Sequence, residues 1–321
     1  PEGRDPDLYE HLHVHVDVLV AGGGVAGLAA ALAAGRAGKR VLVVEQGPVW
    51  GGRAAMEGPE MDGVEAAFWV EGALRELSAL PNVRLRLRTQ ASGVYDHGYA
   101  LAVEEIPDAA PGRPRLRLWK VRAGTVVAAT GGFERPLAFA GNDLPGVMLA
   151  SAVRDYLVNW GVAAGDRVVV VTNNDDAYRT ALLLHRAGLI VPLVVDARPR
   201  ADGPLAREAR DAGIRVEAGR AIAKVKGRGR VAGIQLCALA GEGAAIEDVA
   251  CDAVAMSGGW SPAVHLWSHC GGGLEWDEAR ALFRPDHARP PRNHDGRPLV
   301  LPAGLADGHL STAHALRSGF E

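Results

Sequence analysis

Apolar positions along this chain fall into two kinds of run. One kind is short, β-branched and nearly unbroken: Val16–Val20, Val41–Val44, Thr125–Thr130, Asp166–Thr172 and Leu189–Val195. Runs of this length without alternation suit strands buried on both faces, as in a parallel sheet. The other kind has helical spacing: Val25–Ala37, Val64–Leu80 with Val64, Phe68, Leu74 and Leu77 in register, Ser151–Trp160, Ala177–Ala187, Leu205–Ala212 and Ser311–Arg317. Strand and helix patterns taken in turn predict βαβ units and an α/β class. Further strand runs lie in 99–129, in 214–256 and at Leu299–Leu301. In Val83–Leu87 apolar positions alternate with Arg84 and Arg86, which predicts a half-exposed strand with both arginines in solvent. Pro- and Gly-rich loops separate these elements at Asp108–Pro114, Gly132–Val147 and Arg284–Arg297, and residues 1–10 read as a linker.

The first strand–helix–strand unit carries a chemical signature. Gly22, Gly24 and Gly27 are spaced G-x-G-x-x-G between the strand and the helix, and Glu45 follows the second strand, 23 residues after Gly22. Gly22 permits a tight turn, Gly24 lets a diphosphate lie against bare backbone, and Gly27 lets the helix approach the strand. The first amides of the helix and its dipole favour the phosphates. Glu45 is placed to accept hydrogen bonds from ribose hydroxyls, and its charge disfavours a 2′-phosphate, so NAD or FAD is expected in preference to NADP. Gly51, Gly52 and Arg53 form the next place where backbone can run close to a ligand, with Arg53 reaching a phosphate or simply solvated. A strand ending in Ala129-Thr130-Gly131 allows a further close approach, and the last helix offers its first turn.

The pattern repeats from Asp166 to Asp196, but the turn there reads Thr172-Asn173-Asn174-Asp175-Asp176-Ala177-Tyr178. It lacks glycine and sets two carboxylates where phosphates would go, so this second unit is expected to bind no dinucleotide in the usual mode.

Bulk properties exclude several classes. The chain has 321 residues, enough for about two domains. A net charge of −3 makes no electrostatic case for nucleic acid or an anionic membrane. The uncharged stretch Val18–Gly35 is Gly/Ala-rich and broken by three successive glycines, which argues against a membrane span. Cys237, Cys251 and Cys270 form no C-x-x-C, so a redox disulfide, a thiolate metal cage and an oxidising compartment are not expected, and a cytoplasmic setting fits. His11, His13 and His15 alternate and would share one strand face. No carboxylate or cysteine spacing completes a ligand set, so no metal is expected. Tyr95-Asp96-His97 reads as a turn, and no catalytic constellation stands out. No signal-peptide pattern precedes the first strand, and the chain begins at Pro1 without Met, as a segment of a longer polypeptide would.

The order of fingerprint, acid, GGR, ATG, second Rossmann-like unit and final AG before a helix resembles the glutathione and thioredoxin reductase class of two-dinucleotide-domain flavoproteins. More specific strings at 93–97 (GVYDH), 118–121 (LWKV), 134–149 (ERPLAFAGNDLPGVML), 172–178 (TNNDDAY) and 257–266 (SGGWSPAVHL) resemble the alpha subunit of heterotetrameric sarcosine oxidase. The resemblance implies two Rossmann-like domains, the second inserted in the first: 1–152 with 258–321 holding NAD, and 153–257 carrying the degenerate fingerprint. It carries NAD contacts onto Gly22, Gly24, Ala26, Gly27, Glu45, Gln46, Gly52, Arg53, Ala91, Leu305, Leu310 and Thr312, to which the strand-end reading adds Thr130 and Gly131. Gln46 and Gly47 depart from the more charged sequence usual there. Leu305 stands where flavin reductases of the class carry an Asp for the ribityl chain, which favours NAD over FAD.

The resemblance further implies a holoenzyme that demethylates sarcosine oxidatively to glycine, passing the one-carbon unit to tetrahydrofolate and electrons to oxygen. Its FAD and covalent FMN lie in or against the beta subunit, and its folate site lies in a C-terminal domain of alpha. Since the sequence stops at Glu321, the chain alone is not expected to turn over sarcosine. Two alternatives stay open: the FAD-binding subunit of a related dye-linked proline or opine dehydrogenase, and a stand-alone FAD/NAD(P)H-dependent oxidoreductase.

Overall fold

The computed structural model of the protein describes residues 7–321 apart from 58–59, 62–63, 111 and 241–242. The chain divides into two compact units, Pro1–Phe133 with Ser261–Glu321, and Glu134–Trp260 inserted between them. Both are α/β. Residues 134–152, which the sequence reading assigns to the first unit, group with the second.

In the first unit β1 (Leu8–Ala21), α1 (Val25–Arg36) and β2 (Val41–Val44) form the expected βαβ corner. A short α2 (Ala54–Glu57), α3 (Ala66–Ala79) and β3 (Val83–Arg86) follow. The helix expected from Val64 begins two residues later, because residues 64–65 pair as a short strand with 60–61. Then come β4 (Thr89–Tyr95), β5 (Tyr99–Glu105) and the long β6 (Pro114–Ala128). One sheet runs in the order β3-β2-β1-β6-β5-β4. β3, β2, β1 and β6 are parallel, and β4, β5 and β6 form an antiparallel meander.

β1 is far longer than its apolar run. Leu8–Glu10, read as linker, are strand, and residues 1–6 lie outside the described residues. The extension comes from β6, which pairs with β1 from Leu8↔Pro114 to Ala21↔Ala128. Gly124 lies within this pairing, where a Cβ would stand 3.0 Å from the Asp17 carbonyl oxygen. His11, His13 and His15 do share one exposed face, while Val16 packs inward with Val94, Ala100, Trp119 and Val121. Arg86 is not merely solvated, since its guanidinium lies 5.5 Å from the centre of the Trp119 ring.

In the second unit β7 (Val147–Leu149) leads into α4 (Ala150–Trp160), β8 (Val168–Thr172), α5 (Asp176–Arg186) and β9 (Val194–Asp196). After α6 (Pro204–Asp211) come β10 (Val216–Ala218), an antiparallel sheet of β11 (Arg220–Lys226), β12 (Gly233–Ala238) and β13 (Ala245–Val249), and β14 (Ala253–Ser257). The parallel sheet has the order β7-β14-β8-β9-β10. The pairing of β7 with β14 explains why 134–152 belongs to this unit.

The chain then completes the first unit with α7 (His265–Ser268), a hairpin of β15 (Leu274–Asp277) and β16 (Leu282–Pro285), β17 (Val300–Pro302) on the edge of β6, and α8 (Thr312–Phe320) against α1. Among the described residues no helix is long and apolar enough to cross a membrane.

Candidate functional site

The corner between β1 and α1 is shaped by what its glycines lack. Gly22 has φ +113°, in the region that favours glycine, and a Cβ on it would fall 2.1 Å from the Ala129 carbonyl oxygen. A Cβ on Gly27 would fall 1.9 Å from the Gly22 carbonyl oxygen, so α1 sits against the strand end only because that position is bare. Gly24 differs: nothing but the Gly52 Cα, at 4.0 Å, lies near its missing Cβ. Its open side faces a cavity of about 740 Å³.

Apart from Gly27, which packs beneath it, every residue assigned to the dinucleotide from the sequence lines this one cavity. Gly51 and Gly52, at φ +102° and +55°, bring a second bare segment against the first, and the Gly51 amide donates to the Gly23 carbonyl at 2.9 Å. Glu45 reaches back into the corner. Its carboxylate accepts the amides of Gly23 and Gly47, both at 2.7 Å, so it braces the turn as well as facing the cavity. The remaining lone pairs can still accept hydroxyl groups. Gln46 lies beside it and Ala91 sits on β4. Thr130 donates its hydroxyl to the Ala263 carbonyl at 2.7 Å, and Gly131, at φ +72°, accepts the Ala263 amide at 2.9 Å. Leu305 lies in the turn Gly304–Asp307 after β17, next to the start of α1, and Leu310 and Thr312 open α8.

Arg53 lines the cavity with a carboxylate partner beside it. It pairs with Glu57 at 2.8 Å, and Glu57 also accepts the Thr312 hydroxyl. Glu57 is a cavity residue that the sequence reading missed, as are Phe133, His265, His269 and His309. His269 accepts the Val94 amide on Nε2 at 3.2 Å, and its Nδ1 lies 3.2 Å from the His265 carbonyl, which places the proton on Nδ1. A spacing of 175 residues between His269 and Val94 leaves no local signal. Beyond the wall, Asp307 lies between His287 Nε2 at 2.7 Å and His309 Nε2 at 3.5 Å. Burial pushes its carboxyl above the usual range against the pull of His287, His309 and Arg284.

Among the described residues no group of three or more His, Cys, Asp and Glu is arranged to hold a metal. Tyr95-Asp96-His97 leads into a turn, with Asp96–Gly98 one turn of 3₁₀-helix and His97 left-handed at φ +57°.

The corresponding corner of the second unit is filled by its own side chains. The Thr172 hydroxyl accepts the Asn174 amide, and the Asn174 side chain accepts the Asp176 amide, each at 3.0 Å. Asp176 is held by Arg154 at 2.5 Å and by the Trp260 indole at 3.2 Å. The strand-end acid Asp196 is buried, taking the Tyr178 hydroxyl and the Arg198 guanidinium, both at 2.7 Å. Burial and then the Asp196 bond push the Tyr178 hydroxyl well above its ordinary value.

Over residues 17–104 the chain matches a family model described as FAD dependent oxidoreductase. It is 41% identical over 283 residues to the sarcosine oxidase subunit alpha of Rhizobium meliloti (strain 1021), covering 87% of this chain and 28% of that protein. It is 39% identical over 329 residues to the sarcosine oxidase subunit alpha of Corynebacterium sp. (strain P-1), covering 98% and 33%. The chain thus spans about a third of the length of these curated relatives. Its fold is similar to that of T. acidophilum thioredoxin reductase, with a TM-score of 0.70 and 18% identity over 95% of both chains.

Proposed function

We propose that this chain, a homologue of the sarcosine oxidase alpha subunits, is the segment of such an oxidoreductase subunit that holds an adenine dinucleotide, with NAD as the ligand. The observation that carries the reading is Gly24, whose bare side opens on a cavity of about 740 Å³ at the start of α1. That volume suits a ligand of dinucleotide size. Gly22, Gly24 and Ala26 would take the diphosphate with the first amides of α1. Glu45 and Gln46 would meet the ribose, Ala91 the adenine end, and Gly52, Arg53, Thr130, Gly131, Leu305, Leu310 and Thr312 the remaining walls. Bound NAD can carry a hydride, but the role assigned here is holding, not turnover.

By analogy with its relatives the chain would act within a complex, docking other sarcosine oxidase subunits, the beta subunit in particular. The complex would demethylate sarcosine oxidatively, with FAD, FMN and tetrahydrofolate sited outside this segment or at its edge. The isolated chain would not turn over sarcosine. Neither nucleic acid nor a membrane is a proposed partner, and three free thiols fit a reducing, cytoplasmic setting.

A second reading has its own support: the match at 17–104 is to FAD dependent oxidoreductases, so FAD is the alternative occupant. Denaturing the purified protein and identifying the released nucleotide separates the two. One NAD per chain is expected. Stoichiometric flavin replaces NAD by FAD. NADH oxidation by the isolated chain with a dye acceptor supports a self-sufficient reductase, and absence of any adenine dinucleotide, even after incubation with NAD or FAD, removes the reading.

A further inference from the structure

The charges facing the cavity do not balance a diphosphate. Among the described residues its walls hold two carboxylates, Glu45 and Glu57, one guanidinium, Arg53, and three imidazoles. Arg53 is already paired with Glu57. Backbone amides and the α1 dipole offset part of a diphosphate's charge, which leaves the imidazoles as the titratable source of positive charge. They are not equivalent. His269 has both ring nitrogens engaged by backbone groups, and the His265 ring meets the edge of Phe133 at 5.7 Å. His309 is backed by a carboxylate, that of Asp307, whose side chain is only 11% exposed and which His287 holds from its other side.

We propose that His309 is the cavity's pH-responsive contact for the diphosphate of the bound dinucleotide, with Asp307 as the residue that positions and charges it. This rests on the dinucleotide reading above, and holds for NAD and FAD alike because the diphosphate is common to both. The groups facing His309 and Asp307 fit the assignment. Arg284 on β16 adds positive field at Asp307 and is itself paired with Glu275 at 2.9 Å. His314 on α8 has its ring centre 6.4 Å from that of His309, and Glu57 on α2 is occupied by Arg53 and Thr312. Asp307 favours the imidazolium, and so does a diphosphate. Binding therefore takes up a proton, and affinity falls as pH rises.

The test is the affinity of the full chain for NAD between pH 5.5 and 8.5, with adenosine as a probe that lacks the diphosphate. NAD should bind about tenfold more weakly at pH 8 than at pH 6, the size of one charge-assisted contact, and adenosine equally at both. His309→Gln should flatten the NAD profile at the wild-type pH 8 level. Asp307→Asn should move the step to lower pH, and His287→Gln should keep a step because His287 does not line the cavity. NAD binding with the same pH step in His309→Gln as in wild type overturns the proposal while leaving the dinucleotide reading intact. No dinucleotide binding at any pH overturns both.

Discussion

Two glycines three residues apart should fail in opposite ways when each is given a methyl group. In Gly27→Ala the new Cβ would lie 1.9 Å from the Gly22 carbonyl oxygen, 3.0 Å from its carbonyl carbon and 3.3 Å from the Ala129 Cβ. All three neighbours are backbone or a short side chain, so α1 must move off the strand by about 1 Å to restore ordinary contact. Overpacking of this kind costs about 1–3 kcal/mol, and the better helix propensity of alanine returns less than about 1 kcal/mol. A shift of the helix also carries its first amides away from the ligand. In Gly24→Ala the Cβ meets only the Gly52 Cα at 4.0 Å, and the backbone, at φ −73°, suits any residue. Stability of the nucleotide-free protein should stay within about 0.5 kcal/mol of wild type. The methyl would instead stand in the cavity against the diphosphate and weaken NAD by at least about tenfold. Thermal unfolding of nucleotide-free protein and calorimetric titration with NAD read the two effects separately. The reasoning is refuted if Gly24→Ala destabilises as much as Gly27→Ala, or if it binds NAD within twofold of wild type.

Three further outcomes follow from ionisable groups. Arg154→Met should destabilise the second unit by about 2–4 kcal/mol in urea unfolding, because Arg154 is 1% exposed and its loss leaves Asp176 with weaker partners. Restoring wild-type stability with Asp176→Asn in the same chain would tie that cost to the Asp176 charge. Asp17, hydrogen-bonded by Arg40, has its carboxyl held down to about 2 from the usual 3.8. A depressed value means that the pair contributes stability above pH 4 and loses it as pH falls toward 2, so the gap between wild type and Asp17→Asn should close over that window and shrink in high salt. Burial pushes the thiols of Cys251 and Cys270 up to about 12 and about 11. Both should stay unreactive toward a disulfide reagent at pH 8 in the folded protein, and all three cysteines should react on unfolding; rapid labelling of folded protein would contradict the packing.

How much was legible divides by range. The β1 end, α1, β2 and their glycines were readable because a turn with positive φ, a helix pressed on a strand and a buried parallel strand each restrict residue type locally. The filling of the second corner by polar side chains was readable for the converse reason, the lack of glycine in its turn. What hid the rest was distance along the chain. β1 looked short because its outer half alternates histidines with apolar residues and is held by β6. Boundaries at 134–152 moved because the partner of β7 is β14.

By itself, then, the sequence determined the class of fold, the glycine corner and most of the residues picked out to line its cavity, since steric limits on glycine and the periods of helix and strand act between near neighbours. Only the tertiary structure decided what each charge faces. Glu57 accepts the Thr312 hydroxyl across 255 positions while pairing with Arg53, and Asp307, two residues before His309, meets His287 across 20 positions. Electrostatic partners are chosen by proximity in space, and no pattern in the chain records that before it folds.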